Sequence, residues 1–242
     1  MKRYALLIEA SEVPGEGSLP GAVVDVKNHH RWLYSKSGGD WYNHEIVTLN
    51  TPRVAEVKKA IEIAGKLDYA FVAFSGHGYH SQELDQTKVC LRDGRLSVRE
   101  LLPDTNRCTC IIDACRNVLS ELLFESYEVK AERSVGFAKA ALQKNFRQEF
   151  EGLVAKAEKG PEFLYSCDLH ESAGEAPQSG GYFSRFLVES GNTFATQNTD
   201  GSKWMSVKAA FTNAAEGTTA RNRTQHPRFE PGRRLVHFPY GV

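Results

Sequence analysis

Two apolar runs, each closed by a reactive side chain, constrain this chain more than any other feature. Tyr69-Ala70-Phe71-Val72-Ala73-Phe74 leads into Ser75-Gly76-His77-Gly78, and Cys108-Thr109-Cys110-Ile111-Ile112 leads into Asp113-Ala114-Cys115-Arg116. Short runs without polar alternation read as strands covered on both faces, the pattern of a parallel sheet. Open α/β sheets place their sites beyond the carboxyl ends of such strands. His77 and Cys115 then share one rim. A thiol becomes a useful nucleophile near neutral pH when a base stands beside it, and imidazole is the usual base. The pair reads as a cysteine hydrolase.

The remaining segments supply a doubly wound frame. Tyr4–Glu9 is a buried strand, and the Gly- and Pro-rich stretch from Ser11 to Gly21 is a loop. Ala22, Val23, Val26 and Leu33 share a helical face. His44–Leu49 is the next strand. Thr51-Pro52 then reads as a cap with proline at the first helical position, before the stripe Val54, Val57, Ala60, Ile61 and Ala64. Val89–Leu91 and Arg95–Leu96 flank Asp93-Gly94 as a hairpin, and Ser97-x-x-Glu100 is a capping box. Glu162–Cys167 is a fifth strand, followed by a polar loop over 168–181. Tyr182–Glu189 and Val207–Ala215 are helices, and Arg234–Phe238 is expected to close the sheet. Alternating strands and helices imply a mostly parallel sheet with right-handed crossovers.

Composition excludes several classes of function. Lys+Arg and Asp+Glu are both 30, which argues against nucleic acid or an acidic membrane as an obligatory partner. No apolar run approaches the roughly 20 residues that span a bilayer, and Met1-Lys2-Arg3-Tyr4 runs straight into a strand without a signal-peptide core. Cys90, Cys108, Cys110, Cys115 and Cys167 are an odd count, which points to a reducing, cytoplasmic setting rather than a disulfide framework. Cys108-x-Cys110 lacks the spacing of a zinc loop and reads as core packing, so no metal site is expected. His29-His30 and His80 read as surface or capping residues, and His226-Pro227-Arg228 as an extended approach to the last strand.

Strand-Ser-Gly-His77-Gly followed by strand-Asp-Ala-Cys115-Arg resembles the caspase-like cysteine peptidases, the group of caspases, metacaspases and paracaspases. Caspases proper carry Gln-Ala-Cys-[Arg/Gln/Gly]-Gly, with the His about 50 residues upstream. Here Asp113 replaces the Gln, Asn117 replaces the Gly, and the gap from 77 to 115 is shorter; the shorter gap and the Asp are closer to metacaspases and paracaspases. The resemblance covers most of Tyr4–Pro239. It implies a single domain over 1–242 with a three-layer α/β/α sandwich and a mostly parallel six-stranded sheet. It also implies a Cys115–His77 dyad, with the Gly78 and Cys115 amides holding the oxyanion.

An acid two residues before the nucleophile is wrong for a pocket that takes aspartate. By the same resemblance Asp25 and Glu175 join Asp113 in the pocket for the residue preceding the cut. Three carboxylates favour a guanidinium or ammonium, with bidentate pairing favouring Arg. The expected activity is endopeptidase cleavage after Arg or Lys, on protein or peptide substrates. Asp25 facing solvent, Asp113 binding loop amides, Glu175 as a plain loop charge, and Asp168 as a rival pocket acid remain alternatives. Residues 117–160 read as a helical insertion with an apolar stripe from Val135 to Ala157. Lys130, Arg133, Lys139, Lys144, Arg147, Lys156 and Lys159 there are candidate self-processing sites, in a protein placed by analogy in a signalling or defence cascade with an activating protease or regulatory partner. The chemistry needs no cofactor. Many metacaspases depend on calcium, but no ligand cluster for it stands out. The rival readings are an inactive caspase-fold scaffold and a peptidase with the same dyad but asparaginyl or transpeptidase activity. A flavodoxin-like binding module ranks last, because no glycine-rich phosphate loop follows the first strand.

Overall fold

The computed structural model describes residues 1–118 and 145–242. β1 (Arg3–Ala10), α1 (Pro20–Tyr34), β2 (Ile46–Asn50), α2 (Val54–Gly65) and β3 (Tyr69–Gly76) come first. A three-stranded antiparallel ladder follows: β4 (Gly78–Ser81), β5 (Gln86–Leu91) and β6 (Gly94–Ser97). β7 (Arg107–Asp113), α3 (Phe146–Lys156) and β8 (Gly160–Tyr165) continue the main sheet and its cover. The two-residue pair β9 (Glu175–Ala176) and β10 (Gly180–Gly181) precedes α4 (Tyr182–Gln197). β11 (Met205–Ser206), α5 (Val207–Arg221), β12 (Arg228–Glu230) and β13 (Pro239–Gly241) complete the described chain.

The main sheet runs β12-β8-β7-β3-β1-β2, parallel throughout except β12 against β8. Every residue of β1 and β3 is buried, because both faces are covered. Alternate side chains feed two cores. Ala5, Leu7, Phe71, Ala73, Ile111 and Leu164 meet α1, α3, α4 and α5 through residues such as Val26, Phe150, Phe183 and Ala210. Leu6, Ile8, Val72, Phe74, Cys110 and Ile112 meet α2 and the small ladder through Val57, Ala60, Val89 and Leu96. The expected three-layer α/β/α sandwich is therefore present, with one outer layer part helix and part ladder. Cys90, Cys108 and Cys110 lie in the second core, as the packing reading requires.

The structure corrects several expectations. Arg234–Phe238 does not close the sheet; the sixth strand is Arg228–Glu230, with Arg228 opposite Tyr165. The later segment is instead fixed by polar anchors. Arg234 and His237 reach the fully buried Glu162 at 3.1 and 2.9 Å, and Leu235 is left 91% exposed. Pro239–Gly241 pairs with β11 instead. Thr51 does not cap a helix: it has φ of 40° and gives its N–H to the Glu9 carbonyl at the sheet edge. α2 starts after Arg53, whose N–H donates to the Glu56 carboxylate at 2.7 Å. His29 is buried against Phe71 rather than exposed, and burial pushes its pKa down to about 4. His80 is buried on β4, 3.4 Å from Asp85.

Most of the expected insertion, 119–144, with Lys130, Arg133, Lys139 and Lys144, lies outside the described residues. The part inside is not a loose linker. α3 buries Phe150 and Val154 in the first core, and Arg147 pairs with Glu45 through two hydrogen bonds of 2.8 and 2.6 Å.

Candidate active site

β3 and β7 run side by side with Ser75 opposite Asp113. His77 and Cys115 each stand two residues beyond that pair, so parallel pairing alone brings them to one rim. The chain turns directly from β3 into β4 at Gly78. A Cβ there would come within 2.8 Å of the Ala114 Cβ and 3.1 Å of the Cys115 carbonyl, so the His77-Gly78 backbone lies against the turn that carries Cys115. The His77 Nε2–H donates to the Gly17 carbonyl at 2.6 Å. A carbonyl only accepts, so this bond puts the proton of a neutral ring on Nε2 and leaves Nδ1 as the basic nitrogen.

Cys115 is partly buried. Its Sγ accepts from the Ala173 N–H at 3.4 Å and lies 3.8 Å from the Ala173 carbonyl. Burial raises the thiol pKa, and the charges of Asp113 and Glu175 add to that rise against the Ala173 N–H and the Ser172 hydroxyl. Arg116 turns inward, away from the rim. Its Nε donates to the Thr87 hydroxyl at 3.1 Å, its Nη1 donates to the Cys167 carbonyl at 3.3 Å, and its guanidinium lies 4.0 Å over the Tyr165 ring.

The three sequence-predicted acids converge. Asp25 is 1% exposed on α1. It accepts from the Ser75 hydroxyl at 2.7 Å and from the Gly181 N–H at 2.9 Å. Asp113 is buried and accepts from the Ser184 N–H at 3.0 Å, at the start of α4. Glu175 accepts weakly from the Gly21 N–H at 3.4 Å. Burial holds Asp25 well above the usual carboxylate range, and the Asp113 charge pushes it further in the same direction. Burial likewise raises Asp113 and Glu175. Among the described residues, none of the three forms an ion pair with Lys, Arg or His. The alternative of Asp25 facing solvent is excluded by its burial. Asp168 is not in this cluster: it lies half-exposed on the loop, 4.0 Å from Arg228.

Several site residues carry no sequence signal. Ser75 holds Asp25 from the end of β3. Gly180 has φ of 89° and is packed hard against the Asp25 carboxylate, and a Cβ on Gly181 would come 2.5 Å from Asp113 Oδ2. Only glycines let this backbone cross so close to the acids. Contacts between residues this far apart in sequence leave no local pattern. Among the described residues, no group of three or more His, Cys, Asp and Glu side chains is arranged to hold a metal ion, and no helix is long and apolar enough to cross a membrane.

A histidine and a cysteine thus stand on adjacent strand ends of a covered, mostly parallel α/β sheet. Residues 2–235 match the caspase domain family, and the chain belongs to that family of cysteine peptidases. Among solved structures, the fold is similar to the crystal structure of caspase-1 from Spodoptera frugiperda. The TM-score is 0.63 at 13% identity, over 97% of this chain and 89% of that one. No curated protein matches the sequence.

Proposed function

We propose that the protein is a cysteine endopeptidase that cleaves after Arg, and less readily after Lys, through a Cys115–His77 dyad. The reading is supported above all by Asp25, Asp113 and Glu175, three carboxylates gathered beside the thiol with no ion-pair partner among the described residues. Buried carboxylates are normally matched by cations. A substrate guanidinium supplies the match here, with two parallel N–H···O bonds where ammonium offers a point charge.

In this mechanism Cys115 Sγ attacks the scissile carbonyl carbon while His77 Nδ1 takes the thiol proton. The Gly78 and Cys115 amides stabilise the oxyanion, and the His77 proton passes to the leaving amine. The Gly17 carbonyl keeps the ring oriented through Nε2. Water then hydrolyses the thioester. By resemblance alone, we place the enzyme in a signalling or defence cascade, with self-cleavage after basic residues as its means of processing.

A fluorogenic panel with Arg, Lys, Asp or Asn before the reporter tests this on wild type and Cys115→Ala. Turnover after Arg and Lys that disappears in Cys115→Ala is expected. Equal turnover after Asp refutes the pocket, and activity surviving in Cys115→Ala refutes the nucleophile. Purified active protein that stays one intact chain on a denaturing gel removes self-processing.

A further inference from the structure

We infer that Gln225 is a positioning residue that holds the loop bearing Ala173 and Glu175 in register with the Cys115 turn. The inference deepens the proposed function and rests on it for its kinetic readout. Gln225 lies between α5 and β12 and is fully buried, an unusual place for an uncharged amide. Its side chain satisfies two main-chain groups from different segments. Nε2 donates to the Ser166 carbonyl at 2.9 Å, and Oε1 accepts from the Gly174 N–H at 3.0 Å.

Both segments belong to the site. Ser166 follows β8. Its N–H donates to the Ile112 carbonyl at 2.9 Å, and its hydroxyl accepts from the Ala114 N–H at 3.2 Å, one residue before the nucleophile. Gly174 sits between Ala173, which touches the Cys115 sulfur, and Glu175, the third acid of the pocket. One amide therefore spans from the floor of the nucleophile turn to the wall of the pocket. The clamp is itself held in place. The Thr219 hydroxyl donates to the Gln225 carbonyl at 3.0 Å. Next door, the His226 ring and N–H both reach the Glu171 carboxylate, at 2.6 and 2.7 Å, fixing the start of the same loop. Without the amide, the Gly174 N–H and Ser166 carbonyl lose their buried partner, and the loop is free to shift. A shift of about 1 Å at a positioning element is enough for roughly 10²-fold in rate.

The test compares wild type, Gln225→Met and Thr219→Val, each normalised to active sites by titration with an irreversible thiol inhibitor. Gln225→Met keeps the volume and removes both main-chain hydrogen bonds, together with the longer one from the Asn222 amide at 3.4 Å. Expected are a KM for Arg substrates raised about tenfold or more, a fall in the Arg-over-Lys ratio, and lost amide-exchange protection at Gly174. Thr219→Val is expected to shift the ratio in the same direction but less, and it decides the matter if Gln225→Met does not fold. A merely structural glutamine lowers the active fraction while leaving KM and the ratio unchanged, and that result overturns the inference. A wild type that is labelled at Cys115 yet cleaves nothing after Arg or Lys overturns the proposed specificity instead. Exchange at Gly174 then decides the clamp by itself, and unchanged protection in Gln225→Met ends it.

Discussion

The two ends of the sheet treat buried carboxylates in opposite ways. At the amino-terminal end, Glu45 meets Arg3 at 3.4 Å and Arg147 at 2.6 Å, and Glu151 joins the same network from α3. Burial pushes Glu45 up, but Arg147, the Tyr42 N–H and Arg3 overcome it and hold the carboxyl below its ordinary range. Glu162, fully buried in β8, is also paired, with Arg234 and His237, although burial still lifts its carboxyl above the ordinary range. At the carboxyl-terminal rim, Asp25, Asp113 and Glu175 have main-chain N–H groups and serine hydroxyls but no ion pair among the described residues. One end uses charge to hold the fold. The other leaves its buried acids to neutral donors, with burial raising all three.

That contrast breaks first under neutralisation. Glu45→Gln leaves Arg3 buried with less compensation and is expected to cost about 3 kcal/mol of stability, read by denaturant unfolding, with Arg selectivity per active site unchanged. Asp25→Asn is expected to do the reverse, leaving stability equal or higher at neutral pH while kcat/KM for Arg substrates falls about 10²-fold. Destabilisation by Asp25→Asn at pH 7 would show that the rim acids hold the fold after all.

The pH dependence of that stability gap sharpens the comparison. The folded Asp25 pKa lies above its unfolded value, so its favourable contribution belongs to the protonated form and is lost as pH rises from about 4. The advantage of Asp25→Asn over wild type should therefore grow with rising pH. His29 runs the other way. Its folded value, about 4, lies below the unfolded one, so its contribution is full above about 6.5 and lost as pH falls between the two. Wild type should lose ~3 kcal/mol over that window relative to His29→Leu, read by thermal unfolding at stepped pH.

The smallest effect concerns the thiol. Asp113 and Glu175 help hold the Cys115 pKa up, so alkylation by iodoacetamide should rise with pH through a midpoint above that of an ordinary thiol. Saturating butylguanidine, by meeting those charges, should move the midpoint down. An unmoved midpoint separates the acids from the nucleophile.

The centre of the site is legible in the sequence because it is built from strand ends. Uninterrupted apolar runs announce β3 and β7, and parallel pairing carries His77 and Cys115 to one rim with no further information. The last strand misleads for the converse reason. Arg228–Glu230 has a single large apolar residue and is recruited by pairing with β8, while Leu235, Val236 and Phe238 look like a strand but are pinned by Glu158 and Glu162. Asp25 and Glu175 are reached only through the resemblance. Ser75, the glycine pair at 180–181 and Gln225 escape sequence reading because their roles exist only between distant segments. His29 misleads because its burial is set by the sheet beneath α1, not by its polar neighbour His30.

The partition of the sheet has a consequence for a severed chain. β7 and β8 are central neighbours, paired from Arg107–Gly160 to Ile112–Tyr165, yet they lie on opposite sides of the segment 119–144. A backbone break there divides the polypeptide but not the hydrogen-bonded ladder, nor the core in which Phe71 and Phe183 share a cluster. The two pieces should travel together as one particle, and separately produced halves should find each other without a covalent link.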